Sequence, residues 1–139
     1  MHRLLLLLLL AALTACDSGA DGPLGGRYDV TLFEGGAAVA TGTLRLNVED
    51  LTVSPAAVSG RWQLEPAGDG DAPGIPGDGV LRGTYDGEAV RLSLLVGPEG
   101  APEFDAGVGL DGTVAGDEIR GEWGAGFSDG PAGTFEARR

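Results

Sequence analysis

The tripeptide Gly-x-aromatic occurs five times in this chain: Gly26-Arg27-Tyr28, Gly60-Arg61-Trp62, Gly83-Thr84-Tyr85, Gly121-Glu122-Trp123 and Gly133-Thr134-Phe135. In an extended backbone, residues two apart project from the same face. Each triplet therefore sets a ring beside a position that has no side chain. Glycine at that position lets a strand coil sharply, and a nearby ring covers the gap it leaves. The triplets lie inside runs that alternate with period two. Tyr28, Val30 and Leu32 share a parity, as do Leu44, Leu46 and Val48, then Val58, Trp62 and Leu64, then Leu81 and Tyr85. The pattern continues through Val90, Leu92, Leu94 and Val96, through Phe104, Ala106, Val108, Leu110 and Val114, then Ile119 and Trp123, and last Phe135 and Ala137. Arg27, Arg45, Arg61, Arg82, Arg91, Arg120 and Arg138 all take the opposite parity. From Gly26 onward no apolar stripe of period 3.6 lasts beyond two turns, so this part of the chain is expected to be all-β, with eight strands.

Connections between the runs are turn-like. Glu34-Gly35-Gly36, Asp86-Gly87 and Gly116-Asp117 read as tight reversals, where Gly supplies positive φ. Longer connections near 49–56, 66–78, 97–102 and 124–132 are rich in Gly, Pro and Asp. An antiparallel sheet with one dry face must bury that face. Eight strands joined mostly by short turns do so by closing into an antiparallel up-and-down β-barrel, which also removes exposed edges. A two-sheet β-sandwich is the alternative, since it produces the same alternation. At 139 residues the chain suffices for one domain.

The amino terminus has a different character. Met1–Arg3 is short and basic, and residues 4–13 contain only Leu and Ala. Ten residues are too few to span a bilayer and match the hydrophobic region of a signal peptide. Leu13-Thr14-Ala15-Cys16 follows directly. This segment resembles the lipobox of bacterial lipoproteins. The resemblance implies that residues 1–15 are a signal peptide removed in processing and that Cys16 becomes the first mature residue. It also implies a diacylglyceryl group on the Cys16 thiol, usually with an acyl chain on the new amino group. The protein would then be anchored to a membrane of the cell envelope, on the periplasmic or outer surface. Acyl chains contribute about 0.8 kcal/mol per buried CH₂, so two or three give stable anchoring. A non-lipidated secretory signal cut near Ala15 is the alternative. Residues 16–25 read as the lipidated Cys and a flexible tether, with a reach on the order of 17 Å, and residues 26–139 as the single barrel domain. That domain resembles the calycin type of barrel, the lipocalins and avidin-like proteins, in strand number and Gly-x-aromatic recurrence.

Composition narrows the chemistry. With 21 Asp+Glu against 9 Lys+Arg, the formal net charge of −12 argues against nucleic acid as a partner. A chain processed at Cys16 retains no His, no free thiol and no Lys. It then lacks the base that Ser-His-Asp or Cys-His catalysis requires, and a Cys/His zinc site as well. The expectation is a non-catalytic protein with no resident cofactor beyond the lipid on Cys16. Enzymatic hydrolysis would need two carboxylates converging in a pocket. Asp69 and Asp71, with Asp78 nearby, offer alternating oxygens that suit calcium; the alternative is a solvated acidic loop. Tyr28, Trp62, Tyr85, Trp123 and Phe135 either fill a core or line a cavity for a small apolar ligand. Tyr28, Trp62 and Tyr85 would be the polar handles of such a cavity. Two roles follow: a binding or structural module working through its loops, partnered by another envelope protein, or a lipocalin-like carrier.

Overall fold

A computed structural model describes residues 23–68, 77–96, 106–125 and 130–139. They form eight strands: β1 (Gly26–Glu34), β2 (Ala37–Val48), β3 (Ala56–Pro66), β4 (Gly77–Tyr85), β5 (Ala89–Leu95), β6 (Ala106–Ala115), β7 (Glu118–Ala125) and β8 (Gly133–Arg138). Each strand pairs antiparallel with its sequence neighbours, and β8 pairs with β1. The sheet is a closed up-and-down barrel, which excludes the sandwich.

Closure is staggered. A path through directly paired residues from Gly26 runs to Leu46, Gly60, Leu81, Leu94, Val108 and Ala125. It then passes beyond the first residue of β8 rather than returning to its origin, a rise of about ten residues per circuit. That stagger tilts the strands against the barrel axis.

The alternation defines the interior. Tyr28, Val30, Leu32, Leu44, Trp62, Leu81, Leu92, Leu110, Ile119, Trp123 and Phe135 are all buried in one cluster, and no polar or charged residue is buried among the described residues. Two-residue hairpins form where glycine permits. Gly35 and Gly36 have φ of 57° and 84°, the pair of left-handed residues that a tight hairpin between twisted strands requires.

Departures from simple alternation occur at two bulges, between Leu32 and Phe33 against β2 and between Leu94 and Leu95 against β6. Each shift leaves one extra residue on the facing strand, Val39 on β2 and Gly107 on β6. Val96, which the alternation places inside, lies past the last residue of β5 and is 50% exposed. Phe104 lies outside the described residues.

The two ends of the barrel differ. One end gathers the chain entry at Pro23–Gly25, the β2–β3 loop, the short β4–β5 and β6–β7 turns and Arg139. The other carries the β1–β2 hairpin and the connections from β3 to β4, β5 to β6 and β7 to β8.

Candidate functional site

The five rings singled out by the triplets all reach the interior and belong to the buried core. Their glycines have a specific task. A Cβ on Gly60, Gly83, Gly121 or Gly133 would fall on a cross-strand carbonyl oxygen, that of Arg45, Arg91, Asp111 or Phe33 respectively. The strands thus approach more closely at these points than any side chain allows. Rings then lie over the bare backbone. A Cβ on Gly112 would come within 2.8 Å of the Phe135 ring, and one on Gly133 within 2.7 Å of Trp123 Nε1.

The tryptophans act alike. Trp62 on β3 faces Gly79 on β4 and donates from Nε1 to the Leu95 carbonyl on β5 at 3.0 Å. Trp123 on β7 faces Gly133 on β8 and donates to the Phe33 carbonyl on β1 at 2.9 Å. Both acceptors are the residues at which the two bulges shift the register. Each indole therefore satisfies a carbonyl at an irregular point of the ladder, across three strands.

The tyrosines are likewise committed. Tyr85 Oη donates to the Gly87 carbonyl at 2.9 Å, and Tyr28 Oη to the Leu24 carbonyl at 2.8 Å. Burial raises the Tyr28 phenol above its ordinary value, with Arg139 pulling the other way, so it stays protonated at neutral pH. The Arg139 guanidinium lies 5.4 Å from the centre of the Tyr28 ring, a cation–π distance. It also donates to the Gly25 carbonyl at 2.9 Å and meets Asp117 at 2.9 Å. Leu24, which composition assigns to the tether, is fully buried in the core cluster. Pro23–Gly25, Tyr28, Arg139 and Asp117 together cap the chain-entry end. The three polar handles expected of a ligand cavity are thus all bonded to backbone carbonyls. Among the described residues no buried side-chain nitrogen or oxygen lacks a partner.

Outside, the arginines face water and carboxylates. Glu118 accepts from Arg120 at 2.8 Å and Arg138 at 2.9 Å, and Glu136 lies within 4 Å of both. The hydrogen bond from Arg120, then that from Arg138, holds the Glu118 carboxyl below its ordinary value. Such exposed pairs contribute little individually. A shallow hollow of about 250 Å³ is lined by Asp111, Glu122, Trp123 and Pro131, and another of about 350 Å³ by Asp29, Thr31, Thr41, Gln63 and Glu65. Asp111 and Glu122 are direct cross-strand partners. Asp111 is 69% exposed and 3.3 Å from Arg91.

Asp78 lies on β4, exposed and paired with Gln63. Asp69, Asp71 and Cys16 lie outside the described residues. Among the described residues no group of three His, Cys, Asp or Glu side chains is placed to hold a metal, and no helix is long and apolar enough to cross a membrane. No family model, curated protein or solved structure matches the chain.

Proposed function

We propose that this chain is a lipid-anchored protein of the bacterial cell envelope. Its barrel is a non-catalytic, calycin-like binding or structural module that works through its loops and outer wall. The anchor rests on Leu13-Thr14-Ala15-Cys16. The outer-surface reading rests on one observation: the rings facing the interior have no polar atom to spare. Tyr28, Trp62, Tyr85 and Trp123 each give their hydrogen to a backbone carbonyl. A lumen that orients a guest normally reserves a few polar groups for it.

Two measurements test this reading. Metabolic labelling with an alkyne palmitate analogue is expected to mark the wild-type protein and not the Cys16→Ser variant, which should leave the membrane fraction. An unlabelled, soluble wild-type protein refutes the anchor. Native mass spectrometry after envelope extraction should give the mass of the lipidated chain alone. A stoichiometric apolar guest in the barrel overturns the outer-surface reading in favour of a carrier.

A further inference from the structure

Three large hydrophobic side chains are exposed among the described residues: Leu51 at 50%, Val53 at 56% and Val96 at 50%. Leu51 and Val53 share the loop between β2 and β3, at the end where the chain enters the barrel; Val96 follows β5 at the opposite end. The loop is shaped locally. The Asp50 carboxylate accepts from the Thr52 backbone N–H at 2.9 Å and from its hydroxyl at 2.6 Å. Those bonds hold the Asp50 carboxyl below its ordinary value. The polar side chain between the two apolar ones is thus turned back onto its own loop, and Leu51 and Val53 stand exposed on either side of it.

The wall above the loop is equally unusual. Arg27 is directly opposite Arg45, and Arg45 directly opposite Arg61, all on the outer face. Arg82, paired with Ser59, stands diagonal to Arg61. Like charges directly opposite one another destabilise a sheet. Arg27 has Asp29 beside it at 3.9 Å, and Arg45 stands between the two flanking arginines. The last pair of the β2–β3 ladder is Val48 with Val58, three residues beyond Arg45 and Arg61. At about 3.3 Å per residue, the guanidinium row stands on the order of 10 Å above the loop. That spacing matches a bilayer interface: apolar groups sink roughly 5–10 Å below the headgroups while basic side chains stay at the phosphates.

The described chain begins at Pro23, at the end of the barrel that carries the apolar loop, and Cys16 is seven residue steps before it, so a lipid there tethers the barrel from that end.

We infer that the β2–β3 loop is a membrane-seating element: Leu51 and Val53 enter the interface of the bilayer that holds Cys16, with Arg45 and Arg61 at phospholipid phosphates. The inference rests on the anchoring proposed above. It gives the barrel a fixed orientation, with the β3–β4, β5–β6 and β7–β8 connections presented away from the membrane.

The test uses the natively lipidated full chain, reconstituted in phosphatidylglycerol-containing vesicles. Single cysteines replacing Val53 or, as a control beside the far hairpin, the exposed Ala37 are labelled with an environment-sensitive fluorophore. The wild-type protein should take no label, because a lipidated Cys16 has no free thiol; labelling at Cys16 refutes the anchor itself. With the anchor intact, the probe at 53 should emit at shorter wavelength than the probe at 37 and be quenched by doxyl-labelled lipids. Adding Leu51→Ser with Arg45→Gln and Arg61→Gln should abolish that difference while the protein stays on the vesicles. An anchored protein whose probes at 53 and 37 behave alike overturns the inference and leaves the anchoring intact. So does quenching at 53 that survives the triple change.

Discussion

Gly133→Ala is the sharpest probe of how this barrel is held. The new Cβ would fall on the Phe33 carbonyl and within 2.7 Å of Trp123 Nε1. The two neighbours are joined to each other by a 2.9 Å bond, at the point where β1 shifts register against β2. Overpacking a dense site costs about 1–3 kcal/mol. Displacing the indole strands a donor and an acceptor in a dry region, a further loss of about 1–3 kcal/mol. Reduced freedom of the unfolded chain offsets about 0.4–1 kcal/mol. The net expectation is a loss of about 1–6 kcal/mol, a large part of the stability of an ordinary domain. Gly109→Ala is the matched control. It is also a strand glycine, on β6, but a Cβ there meets nothing within 4 Å. It should leave stability unchanged or raise it by up to about 1 kcal/mol. Guanidinium unfolding of the Cys16→Ser protein, followed by the fluorescence of Trp62 and Trp123, reads both. If Gly133→Ala and Gly109→Ala lie within about 0.5 kcal/mol of each other, close strand approach is not what these glycines serve.

Leu24→Ala should cost about 2–5 kcal/mol in the same assay, because a fully buried side chain is truncated; a change under about 0.5 kcal/mol would return Leu24 to the tether. Acid should destabilise the barrel below about pH 4, the ordinary carboxylate range. Asp86, held low chiefly by the Ala89 and then the Glu88 backbone N–H, and Glu118, held low by Arg120, stay ionised to lower pH than their unfolded counterparts, so on acidification the unfolded chain binds these protons first. Their contribution is therefore complete above that range and is lost as pH falls through the folded-state values. Melting temperature from pH 7 to 2 should be flat and then fall, less steeply in Glu118→Gln; an equal slope in that variant removes Glu118 from the account. Calcium should leave the melting temperature unchanged, and a rise that disappears in Asp69→Asn/Asp71→Asn would establish the metal site instead.

The wall of this barrel was legible in the sequence because its message is local. Period two sorts Tyr28, Trp62, Tyr85, Trp123 and Phe135 inward and the strand arginines outward without any knowledge of which strand lies beside which. The same rule fails at Val96, which lies past the last residue of β5, and parity within one strand cannot reveal the extra residue Gly107 on the facing strand β6. Leu24 was hidden by its neighbours: Gly, Pro and Asp on both sides read as tether, and only the capping contacts of Tyr28 and Arg139 draw it inside. The bonding of the two indoles to bulge carbonyls was equally out of reach, because Trp62 and Leu95 are 33 residues apart and Trp123 and Phe33 are 90.

Register decides what parity leaves open, and on the outer surface it alone makes a pattern. Arg27, Arg45 and Arg61 are scattered arginines in the sequence and a single row in the sheet, because the residues opposite Arg45 are Arg27 on one side and Arg61 on the other. A shift of two residues in either ladder would preserve every buried side chain's parity. It would set Arg45 beside Asp29 on one side or Gln63 on the other, and the row would dissolve. The core therefore does not dictate the row. It is fixed by how the strands are staggered on closure, which depends on the close approaches at Gly60 and Gly133 and the bulge at Phe33. The glycines that let the barrel close also determine which charges stand together on its outside, so the arginine row should change when Gly60 or Gly133 is replaced, even though neither residue's side of the strand belongs to it.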